Sequence, residues 1–159
     1  MYYFMKARKK IFFNSFLIAS VCVLIDQLSK NFIKYNFLKI DSGIKIFEIL
    51  NIVYVENKGV SFGIFAEYNI TFFLGILSIL ISAYIVFLIL KSKNNIERNS
   101  LSLILGGALG NGFDRIIFGH VVDFIDFHYQ NFHWPAFNFA DSFITVGAIV
   151  FFLKILKTN

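Results

Sequence analysis

The sequence predicts an all-α polytopic membrane protein, in which four transmembrane helices carry a small β-sheet platform on the extracytoplasmic side. Three observations support this fold class. The 159 residues are 57% hydrophobic and include 22 Phe but one Pro, whereas a soluble domain is nearer half apolar. Several segments are long and apolar enough to cross a bilayer. Between them, β-branched and aromatic residues alternate, which is typical of short strands.

Four segments account for the predicted helices, at about residues 11–28, 70–90, 99–117 and 137–156. The clearest is 70–90, whose 21 residues carry no charge. It would be about 31 Å long as a helix, enough to cross the hydrocarbon core. The last two segments have shorter uncharged runs, so their polar ends must lie at the interface or face the bundle interior. We expect residues 1–159 to form a single membrane-embedded domain.

The first segment resembles a signal peptide, because four cations stand among residues 6–10 just before it. Val21, however, precedes Cys22 where cleavage would need a small residue. We therefore expect an uncleaved anchor in which Cys22 is a small buried side chain. Because Cys22 is the single cysteine, the sequence excludes an internal disulfide and a thiolate metal cluster.

Lys and Arg predict the orientation of the helices. With four spans, both termini and the loop at 91–98 lie on one side, and together they carry nine cations and one acid. The other side carries six cations and nine acids. Both termini are therefore predicted to be cytoplasmic. The net charge of +5 is mainly a sign of this topology, and nothing else in the sequence supports nucleic-acid binding.

Two stretches on the outer side are predicted to build the sheet platform. Residues 47–65 alternate β-branched and aromatic side chains and are interrupted at residues 57–59, which indicates strand, turn and strand. Residues 119–137 are also expected to be extended, and they end near the single Trp-Pro pair. Trp134 and the Tyr and Phe residues near it suit the membrane–water boundary.

Polar residues form three clusters with the same helical spacing. Residues at i, i+3 and i+4 share one face of a helix. Each cluster lies at the outer end of a predicted span, and such residues are costly in a membrane, so each is a candidate for function. With Asp123 in the last connection, several carboxylates are predicted to converge near the outer leaflet. The three clusters are Asp26/Ser29/Lys30, Asn111/Asp114/Arg115 and Asn138/Asp141/Ser142.

Converging carboxylates limit the chemistry of this region. Burial and a neighbouring like charge each raise a carboxyl pKa, so four acids cannot all ionise at low cost. We expect Arg115 to neutralise one of them, most simply Asp114 or Asp26. An unpaired pair would then share a proton, as in an aspartic peptidase. One carboxylate takes a proton from the attacking water, and the other donates a hydrogen bond or proton to the substrate.

Structural roles are the alternative for several of these residues. Asp114 and Arg115 could form a charge pair that fixes a helix end, and Asn111 and Asn138 could bridge helices by hydrogen bonds. Glycines in the third segment allow close helix packing. They are Gly106, Gly107 and Gly110.

The stretch HVVDFIDFH contains a second candidate, a metal site built from His120, Asp123, Asp126 and His128. In an extended segment, however, alternation places Asp123 on the opposite face from the other three. Without a Cys or a helical His-x-x-x-His pair, the zinc hypothesis is weak. We therefore expect no metal, and we expect His120, His128 and the nearby His133 to lie outside the site.

Four motifs and the predicted spans together cover nearly the whole chain. The motifs are DQLSK at 26–30, NKGVSFGIF at 57–65, GGALGNGFDRIIFGHVVDFIDFH at 106–128 and WPAFNFADSFITVG at 134–147. In order and spacing they resemble the motifs of bacterial lipoprotein signal peptidases (signal peptidase II).

The resemblance implies an aspartic endopeptidase of the cytoplasmic membrane that needs no cofactor. Its substrates would be diacylglyceryl-modified prolipoproteins, cut on the amino side of the lipidated cysteine. Membrane lipids are the other expected partner, and we expect a monomer that binds no nucleic acid. By motif position, Asp123 and Asp141 match the family's catalytic pair. The matching supporting residues are Asn57, Asn111, Arg115 and Asn138, with Asp26 and Asp114 in orienting or structural roles.

Two other functions use the same features. A small proton-coupled membrane carrier could employ the buried carboxylates as a relay. The polar residues nevertheless gather at one membrane face rather than at mid-membrane, which favours the peptidase. A non-catalytic scaffold would leave so many costly carboxylates unexplained.

Overall fold

The described residues of the computed structural model, 2–37, 43–59 and 70–157, form four helices and four strands. In chain order the helices are α1 (Tyr2–Phe37), α2 (Thr71–Lys91), α3 (Asn95–Ile117) and α4 (Phe139–Leu156). The strands are β1 (Ile44–Phe47), β2 (Leu50–Asn57), β3 (Val121–Tyr129) and β4 (Phe132–His133). The chain is thus mostly helical, with a small antiparallel sheet, as predicted.

Three helices in the described part of the chain are long and apolar enough to cross a membrane. They cover Phe12–Phe37, Thr71–Lys91 and Phe139–Leu156, so α1 extends well beyond the predicted end at residue 28. The predicted span at 99–117 does form a helix, α3, but it does not meet the same criterion, and four spans are not confirmed. The position of α3 explains how it can carry polar residues. It packs against α1, α2 and α4, so its buried polar side chains face protein.

Glycines on α3 allow the neighbouring helices to approach closely, as predicted. A Cβ atom added at Gly106 would lie 2.5 Å from Cβ of Cys22, and one at Gly110 would lie 2.7 Å from Oδ2 of Asp26. A Cβ at Gly107 would overlap the carbonyl oxygen of Ala140. The first two contacts involve α1 and the third involves α4. Cys22 is buried against this contact, as expected for a small side chain.

The sheet has the order β1-β2-β3-β4, with antiparallel pairs throughout. In the β2–β3 register Asn57 pairs with Val121 and Val55 pairs with Asp123. One face of β3 is buried on α1, where Val122 packs in the same apolar cluster as Ile33. The predicted sheet is therefore confirmed, whereas the strand predicted after residue 59 falls on 60–65, outside the described residues.

Two short transitions place the polar ends of the helices against the sheet. Gly119 has φ of +74°, a left-handed conformation that glycine adopts readily, and it turns the chain from α3 into β3. On the other side of β3, Phe137 pairs with Ile125 immediately before α4 begins. Consequently β3 and the first turn of α4 lie next to each other.

Candidate active site

Asp123 is held by two side-chain amides from different elements. It is the third residue of β3 and is only 3% exposed. Its Oδ2 accepts a hydrogen bond of 2.9 Å from Nδ2 of Asn57, at the end of β2. Its Oδ1 accepts one of 2.6 Å from Nδ2 of Asn138, which precedes α4. The carboxyl group is thus fixed between sheet and helix by neutral donors.

Asp141 is fixed by the start of α4. Asn138 is the N-cap residue, and its Oδ1 accepts from the backbone N–H of Asp141 at 2.9 Å. Oδ2 of Asp141 accepts in return from the backbone N–H of Asn138 at 3.2 Å, which completes a capping box. Its other oxygen, Oδ1, accepts from Nδ2 of Asn111 on α3 at 2.8 Å. The helix cap therefore determines the position of this carboxylate.

Both carboxylates line one cavity of about 460 Å³. Asn57, Asn111 and Arg115 line it as well, whereas Asn138 is fully buried behind it. The rest of the wall is largely apolar, with a few hydroxyl groups. It consists of Val121, residues 134–137, Ser142, Thr145 and Val146.

The environment of Asp123 favours its protonated form. Burial, and after it the negative charge of Asp141, raise the pKa of Asp123 from the ordinary 3.8 to about 6. The hydrogen bonds from Asn57 and Asn138 oppose the shift. The pKa of Asp123 therefore lies closer to neutral pH than that of an ordinary Asp side chain.

The other two predicted acids lie behind the cavity, where Lys30 pairs with both. Nζ of Lys30 lies 2.7 Å from Oδ2 of Asp26 and 2.6 Å from Oδ2 of Asp114, and all three side chains are buried. The prediction that Arg115 neutralises one of these acids is wrong for the described contacts. Lys30 does so because it lies one turn after Asp26 and faces α3.

Arg115 instead lies at the cavity. Its Nη2 donates to the carbonyl oxygen of Gly59 at 3.1 Å, and its Nη1 donates to the carbonyl oxygen of Asn111 at 3.4 Å. It therefore does not form the suggested charge pair with Asp114 among the described ion pairs. The guanidinium ties the end of the β2 segment to α3 and places a positive charge near the two cavity carboxylates.

Three residues of the suggested metal site, His120, Asp123 and Asp126, have partners of their own, and the ring nitrogens of His128 have no described hydrogen bond. His120 lies 3.7 Å from Glu56, while Asp126 accepts from Nδ2 of Asn51 at 3.0 Å and contacts Nδ1 of His133 at 2.9 Å. His133 is 53% exposed, so its expected surface position is correct, although it also has this partner. Among the described residues, no group of three or more His, Cys, Asp or Glu side chains could hold a metal ion.

Sequence reasoning placed all eight predicted site residues in one region, and the structure brings them together. It missed two members of the network, Lys30 as a partner of Asp114 and Gln27, whose Nε2 donates to Oδ1 of Asp114 at 2.9 Å. The i, i+4 spacing from Asp26 was the available signal for Lys30. No comparable signal identifies Gln27, since its reach depends on the rotation of α1.

Comparisons with known proteins agree on one family. The family model described as signal peptidase (SPase) II matches residues 18–157. A lipoprotein signal peptidase of Thermodesulfovibrio yellowstonii is 44% identical over 135 residues, covering 85% of this chain and 89% of its own. A lipoprotein signal peptidase of Anaplasma phagocytophilum is 41% identical over 143 residues, covering 89% and 90%.

Solved structures show the same similarity. One, described as a bacterial membrane enzyme solved at 2.3 Å, superposes with a TM-score of 0.81 at 35% identity, covering 91% of this chain and 88% of its own. Another of the same description, at 1.9 Å, has a TM-score of 0.79 at 36% identity and covers 92% and 94%.

Proposed function

Because the chain belongs to the signal peptidase II family, and its relatives are named lipoprotein signal peptidases, we propose that it cleaves prolipoproteins by an aspartic mechanism. Asp123 and Asp141 are the proposed catalytic pair. The observation that carries this proposal is that both carboxylates line one cavity, each fixed by amide donors rather than by an ion pair among the described contacts.

The proposed reaction needs one proton shared between the two acids. The ionised carboxylate takes a proton from a water molecule as the water oxygen attacks the scissile carbonyl carbon. The protonated carboxyl group donates to the carbonyl oxygen, which gives a tetrahedral diol. The C–N bond then breaks as a proton passes to the leaving nitrogen, which becomes the new amino terminus. The pKa of Asp123, raised to about 6, supports this proposal, because the group keeps its proton to a higher pH than an ordinary Asp side chain does.

We further propose that the scissile bond lies on the amino side of a diacylglyceryl-modified cysteine. The largely apolar wall from Trp134 to Phe137, with Val146 beside it, would accept an apolar substrate next to the carboxylates. Membrane lipids would surround the three apolar helices. In this arrangement both termini are cytoplasmic, the active site lies near the outer leaflet, and one monomeric domain carries the activity.

The remaining predicted residues have supporting roles in this proposal. Asn57, Asn111 and Asn138 hold the catalytic carboxylates by their amide groups. Arg115 holds the segment at Gly59 and supplies positive charge. Asp26 helps to place the first turn of α4, because its Oδ1 accepts from the backbone N–H of Ala140 at 2.9 Å.

Cleavage of a purified diacylglyceryl-prolipoprotein tests the mechanism. The protein is incubated with this substrate in lipid, with and without a chelator, and compared with Asp123→Asn and Asp141→Asn. We expect cleavage that resists the chelator and that either substitution abolishes. The position of the cut is read from the mass of the lipidated product.

Asp126→Asn is the matched control, because Asp126 lies three residues from Asp123 on the same strand and is also buried. Its partners are Asn51 and His133, and it does not line the cavity. We expect this variant to cleave normally. Cleavage that survives Asp123→Asn or Asp141→Asn contradicts the aspartic mechanism, and loss of cleavage with chelator alone would favour a metal-dependent reaction.

A further inference from the structure

Lys30 is a buried cation that is not part of the cavity wall. It is 4% exposed and lies on α1, whereas the cavity is lined by residues of α3, α4 and the sheet region. Each of its three N–H donors has an acceptor, namely Oδ2 of Asp26, Oδ2 of Asp114 and Oδ1 of Asn111. With all three donors used, the ammonium group is held in one place.

The hydrogen bond from Lys30 determines the orientation of the Asn111 side-chain amide. The two ends of an asparagine amide have nearly the same shape, so their neighbours decide which end points where. An ammonium group can only donate, and Nζ of Lys30 lies 2.8 Å from one end of the Asn111 amide, so this end must be the oxygen. The amide nitrogen then faces Asp141, and it donates to Oδ1 of Asp141 at 2.8 Å.

The same contact extends to the other catalytic acid. Oδ1 of Asn111 also accepts from Nδ2 of Asn138 at 3.3 Å, and this nitrogen donates to Oδ1 of Asp123 at 2.6 Å. If the Asn111 amide were reversed, its oxygen would face a carboxylate oxygen of Asp141 and its nitrogen would face two donors. Both contacts would be repulsive.

We propose that Lys30 is a positioning residue, whose ammonium group fixes the Asn111 amide so that its nitrogen donates to Asp141 and its oxygen accepts from Asn138. This inference rests on the proposed function. Lys30 touches neither the cavity nor the reacting atoms, and it acts through Asn111.

The first test compares the kinetics of Lys30→Met, Asn111→Ala and the double variant. Loss of one charge-assisted hydrogen bond predicts that Lys30→Met lowers kcat by about 10- to 100-fold, with KM changed by less than about threefold. Since Lys30 acts through Asn111, the double variant should be no slower than Asn111→Ala. Losses that multiply in the double variant overturn the proposal.

Gln27→Leu is the matched control. Gln27 lies on the same helix and donates to the same two acids, Asp26 and Asp114, but none of its described hydrogen bonds goes to Asn111. This substitution should leave kcat within about threefold of the parent, because it disturbs the acids and leaves the Asn111 amide in place. An equal loss of kcat in this variant and in Lys30→Met would show that disturbance of the acids explains both, and would overturn the proposal.

Lys30→Met leaves two buried acids unpaired and could unfold the protein. The charge-balanced variant Lys30→Met/Asp114→Asn removes one positive and one negative charge, and it supplies the same kinetic test if the single variant does not fold. Melting temperatures of both decide which is used. Wild-type kcat in the folded variant overturns the proposal.

Nuclear magnetic resonance of the side-chain amides gives a readout that does not depend on cleavage. In protein labelled with ¹⁵N-asparagine, the Asn111 signals are identified by their loss in Asn111→Ala. Lys30→Met, or its charge-balanced form, should shift these signals, and Gln27→Leu should not. Unchanged Asn111 signals overturn the proposal. If the wild type fails to cleave any prolipoprotein, the proposed function is wrong, and the amide signals still decide whether Lys30 positions Asn111.

Discussion

Asn138 performs two tasks that can be separated by substitution. Its Oδ1 caps α4 by accepting from the backbone N–H of Asp141 at 2.9 Å, and its Nδ2 donates to Oδ1 of Asp123 at 2.6 Å. Asn138→Ser keeps a good cap acceptor but has no amide that could reach Asp123. Asn138→Ala removes both groups. The two variants lose a similar volume, so each controls for the cavity that the other creates.

The expected magnitudes follow from these two contacts. A hydrogen bond to a charged group contributes about 1.5–3 kcal/mol, so both variants should lower kcat by about 10- to 150-fold. Loss of the cap costs about 1 kcal/mol, or about 2–4 °C in melting temperature, and only Asn138→Ala should show it relative to Asn138→Ser. Without the donor, the pKa of Asp123 should rise above about 6, and the alkaline limb of the rate profile, where the protonated carboxyl group is lost, should move to higher pH.

Two measurements decide this prediction. Initial rates of prolipoprotein cleavage between pH 5 and 8 give kcat and its pH dependence, and thermal unfolding in detergent gives the relative stability of the variants. If Asn138→Ser retains the parent kcat and pH profile, the amide does not support Asp123. If both variants melt at the same temperature, the cap does not stabilise α4.

Three further predictions follow from the geometry. The folded-state pKa of Asp123 is raised from 3.8 to about 6, so its contribution to stability is fully present below about pH 3.8 and is lost as the pH rises through about 6. This loss amounts to about 3 kcal/mol, and the variant Asp123→Asn should not show it. Melting curves from pH 4 to 8 check this, and an unchanged pH dependence in the variant contradicts it. Arg115→Ala removes the donor to Gly59 and a charge beside the proposed catalytic pair, so cleavage should fall by at least about tenfold. Near-normal rates and melting would count against its supporting role. Gly106→Ala places a methyl group 2.5 Å from Cβ of Cys22 and should destabilise by about 1–3 kcal/mol in thermal unfolding, whereas Ile117→Ala on the exposed face of the same helix should change stability by about 0.5 kcal/mol or less.

The sequence predicted the helices and the sheet because their signals are local. Uncharged runs identify α2, and alternation identifies β3. The role of α3 was harder to predict. A helix that packs against three others can carry polar residues that face protein, and these residues lower its mean hydropathy. The local sequence pattern predicts the length of such a helix but not which elements surround it.

The site shows the same limit at the level of single contacts. From spacing alone, the polar residues of each helix were predicted to share one face, and in the structure these faces meet. The ion pairs depend on how far each helix is rotated, and this is set by packing. Because Gly110 has no side chain, Asp26 approaches α3 closely, and Lys30 on the next turn reaches Asp114. Arg115, one residue after Asp114, is directed to the cavity instead.

The charges of the site form two groups with different partners. Behind the cavity, Lys30 pairs directly with Asp26 and Asp114. At the cavity, Asp123 and Asp141 have amide partners and, among the described contacts, no direct ion pair. A direct ion pair would hold a carboxylate in its ionised form, since an opposite charge at contact distance lowers its pKa. Neutral amides fix the geometry with a weaker preference for either protonation state, and this suits the proposed mechanism, in which the two acids share a proton.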